Sequence, residues 1–478
     1  MVENTIVGRH DLRSQTLSPL ESLAQSIGNI APTATPTLVI PLVFGLGGNA
    51  TWLIYLIATI GIILVAYNVN SFARRIASPG SLYAYTKTGL GPWAGLIAGW
   101  ALLAAYVGTG AAVTGGFTNY TNVLLHDLLG VEIPPVFLIA AAVLGSWLLA
   151  YRDIQLSTRT TLVLEFASVG LILFILIATL IKAPTHIDTA QLHLEGVTAD
   201  QIRLGLVLAL FSFVGFESSA SLGSEAKDPL RTIPAAIIRS AVSVGLFFVF
   251  ASYVLVLGFH GNAETLDKSS APLHVLADKS GFGALKHLID LGAAISFFAC
   301  TLASINAGAR ILFQLGRHGV FHSSLGSAHS TNRTPHIAIT LIAVFTFIPA
   351  AVLAIRGTAV FDIFGWIGSF ASYGFILAYI LVSIAAPVYL YHHRKLGIGS
   401  TLAAAAAIVL LVIALAGNLY PLPDAPYSWL PYAFLAYLGL GALWFAILRF
   451  TSPSFAEDIR NSESAAQLPV NGGAPSSA

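Results

Sequence analysis

The sequence predicts an all-α integral membrane protein of twelve transmembrane helices, and three observations carry that prediction. Of the 478 residues, 56% are hydrophobic and only 9% charged, against about 25% charged in a soluble domain. The hydrophobic share is about 268 residues, and twelve membrane helices of about 20 residues need about 240. Apolar runs of spanning length recur between Gly, Pro and charged punctuation, and Lys and Arg divide unequally between alternate loops. A chain of this length reads as one polytopic domain rather than about three soluble ones.

The runs cover residues 20–45, 50–71, 92–122, 134–151, 160–181, 202–225, 234–258, 286–313, 335–355, 359–390, 398–418 and 430–450. Barrel strands would be about 10 residues long with alternating polarity, which these are not. The stretch before them, MVENTIVGRHDLRSQTLSP (residues 1–19), lacks a continuous apolar core and a small-residue cleavage site. It reads as a cytoplasmic arm rather than a signal peptide. With the N-terminus inside, seventeen of the 23 basic residues fall on the cytoplasmic side, leaving Lys182, Arg203, Lys268, Lys279, Lys286 and Arg356 outside. The positive-inside rule therefore places both termini in the cytoplasm and favours an even number of spans.

Span 1 contains Gly28, Pro32 and Pro36 within SLAQSIGNIAPTATPTLVIPLVF. Proline removes a backbone donor and clashes with the preceding turn, and threonines 33, 35 and 37 are placed to bond the freed groups. Span 6 reads LGLVLALFSFVGFESSASLGSEAKDP, with Gly215 and Glu217 near its middle. Exposed backbone and a carboxyl at that depth are tolerated around a protein-lined cavity. The two interruptions begin two groups of five spans, about 20–181 and 202–390, with spans 11 and 12 (about 398–450) peripheral. Five is odd, so the second group enters from the opposite side. Broken helices at matching places in an inverted repeat point to a mid-membrane binding site with alternating access.

The outer loop 259–285 carries APLHVLAD, a candidate short helix, and residues 451–478 are rich in Ser, Ala, Pro, Gly and acidic groups, the composition of a disordered tail. A net charge of +1 offers no field for nucleic acid. Cys300 stands alone, and no phosphate-binding loop or metalloprotease motif occurs, so neither a nucleotide-driven pump nor an intramembrane enzyme is indicated. No metal or cofactor is expected. The partners are a small-molecule substrate and the lipid bilayer of the cytoplasmic membrane.

FSFVGFESSASLGSEAKDPLRTIPAAI (211–237), SPGSLYAYTKTGLGPWAGLIAGW (78–100) and ARILFQLGRHGVF (309–321) resemble segments of the amino acid–polyamine–organocation transporters. The resemblance implies a five-plus-five inverted repeat with substrate bound at the breaks of spans 1 and 6. A substrate carboxylate would lie by Thr33, Ala34 and Thr35, and an ammonium by the carbonyls of Gly28, Asn29, Phe211 and Ser212. Relatives break span 1 with a Gly-x-Gly type sequence where this chain has Pro32-Thr33-Ala34, which shifts weight to the Thr33 hydroxyl and keeps amine substrates open. Phe211 matches an aromatic gate, and Phe213, Gly215, Tyr106 and Trp366 are further lining or gating candidates, each with plain packing as its alternative. Glu217 and Glu165 are the coupling candidates, because a carboxyl at membrane depth can carry a proton. Ser168, Thr301 and Ser304 form a possible sodium site, with proton coupling the leading expectation. Arg74, Arg75, Glu225, Lys227 and Asp228 are expected either to pair as an inner gate or to be solvated loop charges.

Overall fold

The computed structural model describes residues 11–269, 271–420, 425–451 and 459. Its helices are α1 (Pro19–Ile30), α2 (Ile40–Gly47), α3 (Thr51–Ala73), α4 (Leu82–Leu90), α5 (Pro92–Leu129), α6 (Pro135–Arg152), α7 (Ile154–Lys182) and α8 (Thr189–Leu192). They continue as α9 (Ala199–Phe211), α10 (Pro229–Phe259), α11 (Pro272–Lys279), α12 (Lys286–Arg317), α13 (His336–Ile355), α14 (Val360–His392), α15 (Ile398–Leu419) and α16 (Leu430–Thr451). Among the described residues ten helical runs are long and apolar enough to cross a membrane. The first, Pro19–Ala73, takes in α1, α2 and α3, whereas the broken unit that starts with α9 is too short to qualify by itself.

The two broken units start alike. Ser18 accepts from the Glu21 N–H while the Glu21 carboxylate takes the Ser18 N–H, and Thr198 and Gln201 do the same at α9. Each pair is a capping box that satisfies otherwise orphaned donors at a helix start. Span 1 is a composite: α1 ends at Ala31, which sits in the left-handed region at φ 50°, and a π turn over Thr35–Val39 precedes α2. Thr37 Oγ1 donates to the carbonyls of Thr33 (3.0 Å) and Ala34 (2.9 Å), so a threonine does serve the freed backbone. In span 6, α9 stops at Phe211, Gly215 turns at φ +87°, and Ser218–Leu222 continues as 3-10 helix rather than the expected α-helix.

The core is built by α5 and α12, whose apolar windows are mostly enclosed. Both α12 and α14 pack on α5, α10 packs on α3, and α12 on α7. By contrast α15 and α16 turn residues such as Leu402, Val409, Leu435 and Leu443 outward, an apolar surface suited to lipid. The expected loop helix is present as α11, while α4, not anticipated from the sequence, precedes α5 across Gly91 at φ +92°. The disorder expected for 451–478 falls almost wholly outside the described residues. Ile459 is described and buried, and its carbonyl accepts from Lys87 Nζ at 3.2 Å.

The segment before α1 is more than a polar arm. The N–H groups of Thr16 and Leu17 donate to the Glu225 carbonyl at 2.8 and 3.0 Å, and Lys227 N–H returns a bond to Leu17 O at 2.8 Å. Leu17 and Ala226 form an isolated parallel bridge, and Leu17 is buried. Arg13 pairs with Asp153 and Asp11 with Arg317, while Gln155 donates to the Thr16 carbonyl. Residues 11–17 thus strap one end of the bundle, called here the N-terminal face.

Candidate functional site

The two breaks face each other. A Cβ built on Gly215 would lie 1.6 Å from Asn29 Nδ2, so only glycine leaves room for the Asn29 carboxamide at the turn, and φ +87° favours glycine independently. Helix α12 holds Asn29 from the other side, with Ser304 Oγ donating to its Oδ1 at 2.9 Å and the Cys300 thiol donating to its carbonyl at 3.2 Å. Gln25 Nε2 adds a bond to the Ala303 carbonyl at 2.8 Å. Gly28 lets α1 approach α7, because a Cβ there would meet Thr161 Cγ2 at 2.1 Å. Thr33 is buried, and its Oγ1 and the Asn29 Nδ2 have no protein partner. Ala34 N–H is engaged by the Ala31 carbonyl at 2.9 Å, and Thr35 opens the π turn.

Glu217 is fully enclosed and clamped by two tyrosines. Tyr106 on α5 donates to Oε1 at 2.7 Å, and Tyr379 on α14 donates to Oε2 at 2.5 Å. The Tyr379 hydroxyl also accepts the Gly215 N–H at 3.2 Å. One oxygen therefore ties the carboxylate, the turn of the broken helix and α14 together. Tyr106 belongs to this clamp rather than to an aromatic lid, and Tyr379 is a site residue that sequence reasoning missed. It lies 162 positions from Glu217, with no local pattern to mark it.

On the far side of the breaks the aromatic seal runs through rings other than Trp366. Phe211 meets Phe364 on α14 edge-on at 5.8 Å, Phe364 meets Phe297 on α12 at 6.1 Å, and Phe297 stacks on Tyr120 of α5 at 5.9 Å. Tyr120 closes the row by donating to the Thr37 carbonyl at 3.3 Å. Trp366 is half-buried on α14, two residues past the ring that touches Phe211. Phe213 packs against Phe248 at 5.2 Å in the core, the packing alternative, and Ser212 Oγ bonds to the Tyr55 hydroxyl at 3.1 Å. A void of about 10 Å³ lies beside Phe211, Phe375 and Tyr379, room for about one water. A larger cavity of about 620 Å³ opens at the end of α5 by Asn122, His126, Asp127 and Thr358, away from both breaks.

Glu165 on α7 is buried, with Ser296 of α12 donating to Oε1 at 2.7 Å and Oε2 unpartnered. Its place near the start of span 5 allows an ion pair with a cytoplasmic base as readily as coupling; the partner is instead the neutral Ser296 hydroxyl. The proposed sodium ligands are not gathered in one place. Ser168 Oγ donates to the Gly292 carbonyl at 2.9 Å, nine and twelve residues before Thr301 and Ser304 on α12, or about 13–18 Å of helix rise. Thr301 bonds its own helix at Phe297 and Ser304 is bound to Asn29.

At the N-terminal face Glu225 pairs with neither Arg74 nor Arg75. Arg310 of α12 holds it from Nε (2.5 Å) and Nη2 (2.9 Å), with both side chains fully buried, and its Nη1 donates to the Asn306 carbonyl. Asp228 pairs with Arg231 at an exposed site, and Lys227 contributes its backbone N–H to the strap. Between the clamp and this pair, Ser218 Oγ donates to the Gln25 carbonyl and Ser219 N–H to Ser26 Oγ.

Known proteins resemble this chain over most of its length. The amino acid permease family profile matches residues 17–443. A branched-chain amino acid permease of Lactococcus lactis subsp. cremoris is 28% identical, over 71% of this chain and 77% of that protein. A low-affinity putrescine importer of Escherichia coli K12 is 27% identical, over 60% and 64%. A Na+-coupled sialic acid symporter, solved substrate-bound and outward-open, shares the fold at a TM-score of 0.54 and 14% identity, covering 84% of this chain and 89% of that one.

Proposed function

We propose, from the premise that the chain belongs to the amino acid permease family, that it is a secondary active transporter moving amino acids across the cytoplasmic membrane by alternating access. It is a multi-pass membrane protein. Two crossings in the first of the ten apolar runs and one more in the α9 unit support a reading of twelve spans. The N-terminal face is then cytoplasmic, in line with the basic residues it carries. The observation that carries the reading is the meeting of Asn29 and Gly215 between two seals. Toward the outside stands the aromatic row from Phe211 to Tyr120; toward the inside stand the Glu217 clamp, the Glu225–Arg310 pair and the strap.

Glu217 suits coupling to protons. As a carboxylate it accepts from both tyrosines; protonated, one oxygen carries a hydrogen, so its bond to that tyrosine must reverse or weaken. Proton arrival at Glu217 would thus loosen the inner seal beside the substrate. Glu165, with one oxygen lacking a donor, is the second proton carrier in this scheme, and the scattered hydroxyls make sodium the weaker choice. Organic amines are the second substrate class, supported by the putrescine importer among the relatives. Counterflow of labelled amino acids in proteoliposomes tests the reading: exchange that requires internal substrate is expected, and binding without exchange would leave a sensor of the same fold instead.

A further inference from the structure

We propose that His274 on α11 and Asp290 on α12 form a proton-sensitive latch that holds α11 down over the outer side of the aromatic row. The inference rests on the transporter reading, which makes the end opposite the N-terminal face the outer one, and adds a positioning pair at that mouth. Helix α11 follows the far end of α10 and packs on α7, α10, α12 and the π turn of span 1. It thus bridges α12, which carries Phe297 of the row, and the turn whose Thr37 carbonyl takes the Tyr120 hydroxyl. Its buried underside is mostly apolar, with Leu276 seated over Gly258 of α10, where an added Cβ would meet it at 2.3 Å. Among the described residues two side-chain bonds tie α11 to other elements. Lys279 Nζ donates to the Gly258 carbonyl at 2.8 Å, and His274 Nε2 meets Asp290 Oδ1 at 2.6 Å.

The pair is built to respond to protons. Asp290 is fully buried, and its Oδ2 has no protein partner. A buried carboxylate without a cation is costly. A proton on His274, whose side chain is 17% exposed, adds the attraction of opposite charges to the hydrogen bond. Histidine is the side chain whose charge changes between about pH 5 and 8. The other charged groups around α11 are engaged elsewhere. Lys286 and His287 of α12 reach Asp127 of α5 at 3.4 and 3.9 Å, Lys182 of α7 lies over the Phe282 ring, and His260 at the end of α10 meets Asp188 at 3.2 Å. Deeper in the bundle Glu165 of α7 is held by Ser296, and Tyr120 of α5 faces Asp290 from the aromatic row. Asp278 of α11 itself crowds Gly283, and the π turn carries no ionisable side chain. Acid outside therefore tightens the latch, and alkali loosens it.

Thr179 of α7 gives the reporter, since it is buried and crowds the same point at Gly258 as Leu276 does, at 2.9 Å. In full-length Cys300→Ser protein, Thr179→Cys should react with a membrane-impermeant thiol reagent only when α11 lifts. Thiolate content rises with pH in every variant. The quantity read is therefore the labelling rate with His274→Gln, which stays neutral, divided by the rate with His274 kept. That ratio should be at least about fivefold near pH 5.5 and below about twofold near pH 8. In an Asp290→Asn background, where the charge is gone, the ratio should no longer depend on pH. If His274→Gln does not fold, Asp290→Asn alone should show the same fall in its own ratio. A ratio near one at both pH values, a ratio that fails to fall with pH, a fall that survives Asp290→Asn, or no labelling at any pH would overturn the proposal. Counterflow is scored separately: a titrating latch without exchange would sink the transport reading and leave the latch standing, and exchange with a flat ratio would do the reverse.

Discussion

Replacing Tyr379 by Phe removes the hydroxyl that donates to Glu217 at 2.5 Å and accepts the Gly215 N–H at 3.2 Å. A hydrogen bond to a charged group is worth about 1.5–3 kcal/mol. If the clamp holds the inner seal shut, its loss should move the equilibrium toward an inward-open state about 10–150-fold, at about 1.4 kcal/mol per decade. Ser219 gives a reporter, since it is buried on the lower half of span 6 and its Oγ has no partner to lose. In a Cys300→Ser background, Ser219→Cys should react with a membrane-impermeant thiol reagent from the cytoplasmic side only when the two broken units separate. The labelling rate should rise by that factor in Tyr379→Phe and by a smaller one in Tyr106→Phe, which loses a single bond. Adding Glu217→Gln should make the Tyr379→Phe effect far smaller, because the charge that strengthened the bond is gone. An unchanged rate, or effects that simply add, would refute the clamp as a gate.

Three further outcomes follow from the same geometry. Arg310→Met leaves Glu225 buried without its partner and should cost about 3–5 kcal/mol of stability, while Glu225→Gln with Arg310→Met should recover most of it; chemical unfolding in detergent measures both, and equal losses in single and double variants would contradict the pairing. Cysteines at Leu17 and Ala226, in the Cys300→Ser background, should cross-link across the bridge and stop counterflow until a reductant is added, and undiminished exchange in the cross-linked protein would show that the strap need not release. His318 outside the spans is held neutral, its pKa pushed down to about 3 by burial first and then by Lys87 and Arg317. Between that value and the unfolded 6.5 the unfolded chain takes up a proton that the native one refuses, so this contribution to stability is whole above about pH 6.5 and lost as pH falls toward 3; His318→Gln should soften the acid-side fall in melting temperature, and a profile parallel to wild type would count against it.

The breaks were legible because their causes are local. Pro32 and Gly215 interrupt apolar runs in any context, and Glu217 stands out in a sequence with 9% charged residues. The capping boxes at Ser18 and Thr198 were equally local, and an S/T-x-x-E/Q pattern before each broken span would have found them. What the sequence hid were partners chosen by packing. Arg310 rather than Arg74 or Arg75 reaches Glu225 because α12 runs behind the end of span 6. Phe364 rather than Trp366 meets Phe211, a difference of two residues, or about 200° around a helix. Ser168 failed as a companion to Thr301 and Ser304 for a related reason: register between α7 and α12 is set by how they cross, which no spacing within one helix records. Residues 11–17 read as polar and short, and only the backbone groups offered by 225–227 explain why Leu17 is buried.

The strap also fixes an order of assembly. Asp11 leaves the ribosome early, yet its partner Arg317 is 306 residues downstream. At about 5–20 residues per second that is a wait of about 15–60 s. During synthesis the first five spans are therefore in the bilayer while residues 11–17 are still without Glu225, Ala226 and Arg317. The N-terminal face closes only after α12 has been inserted, and a nascent chain cut before that point would keep its N-terminal segment open to protease.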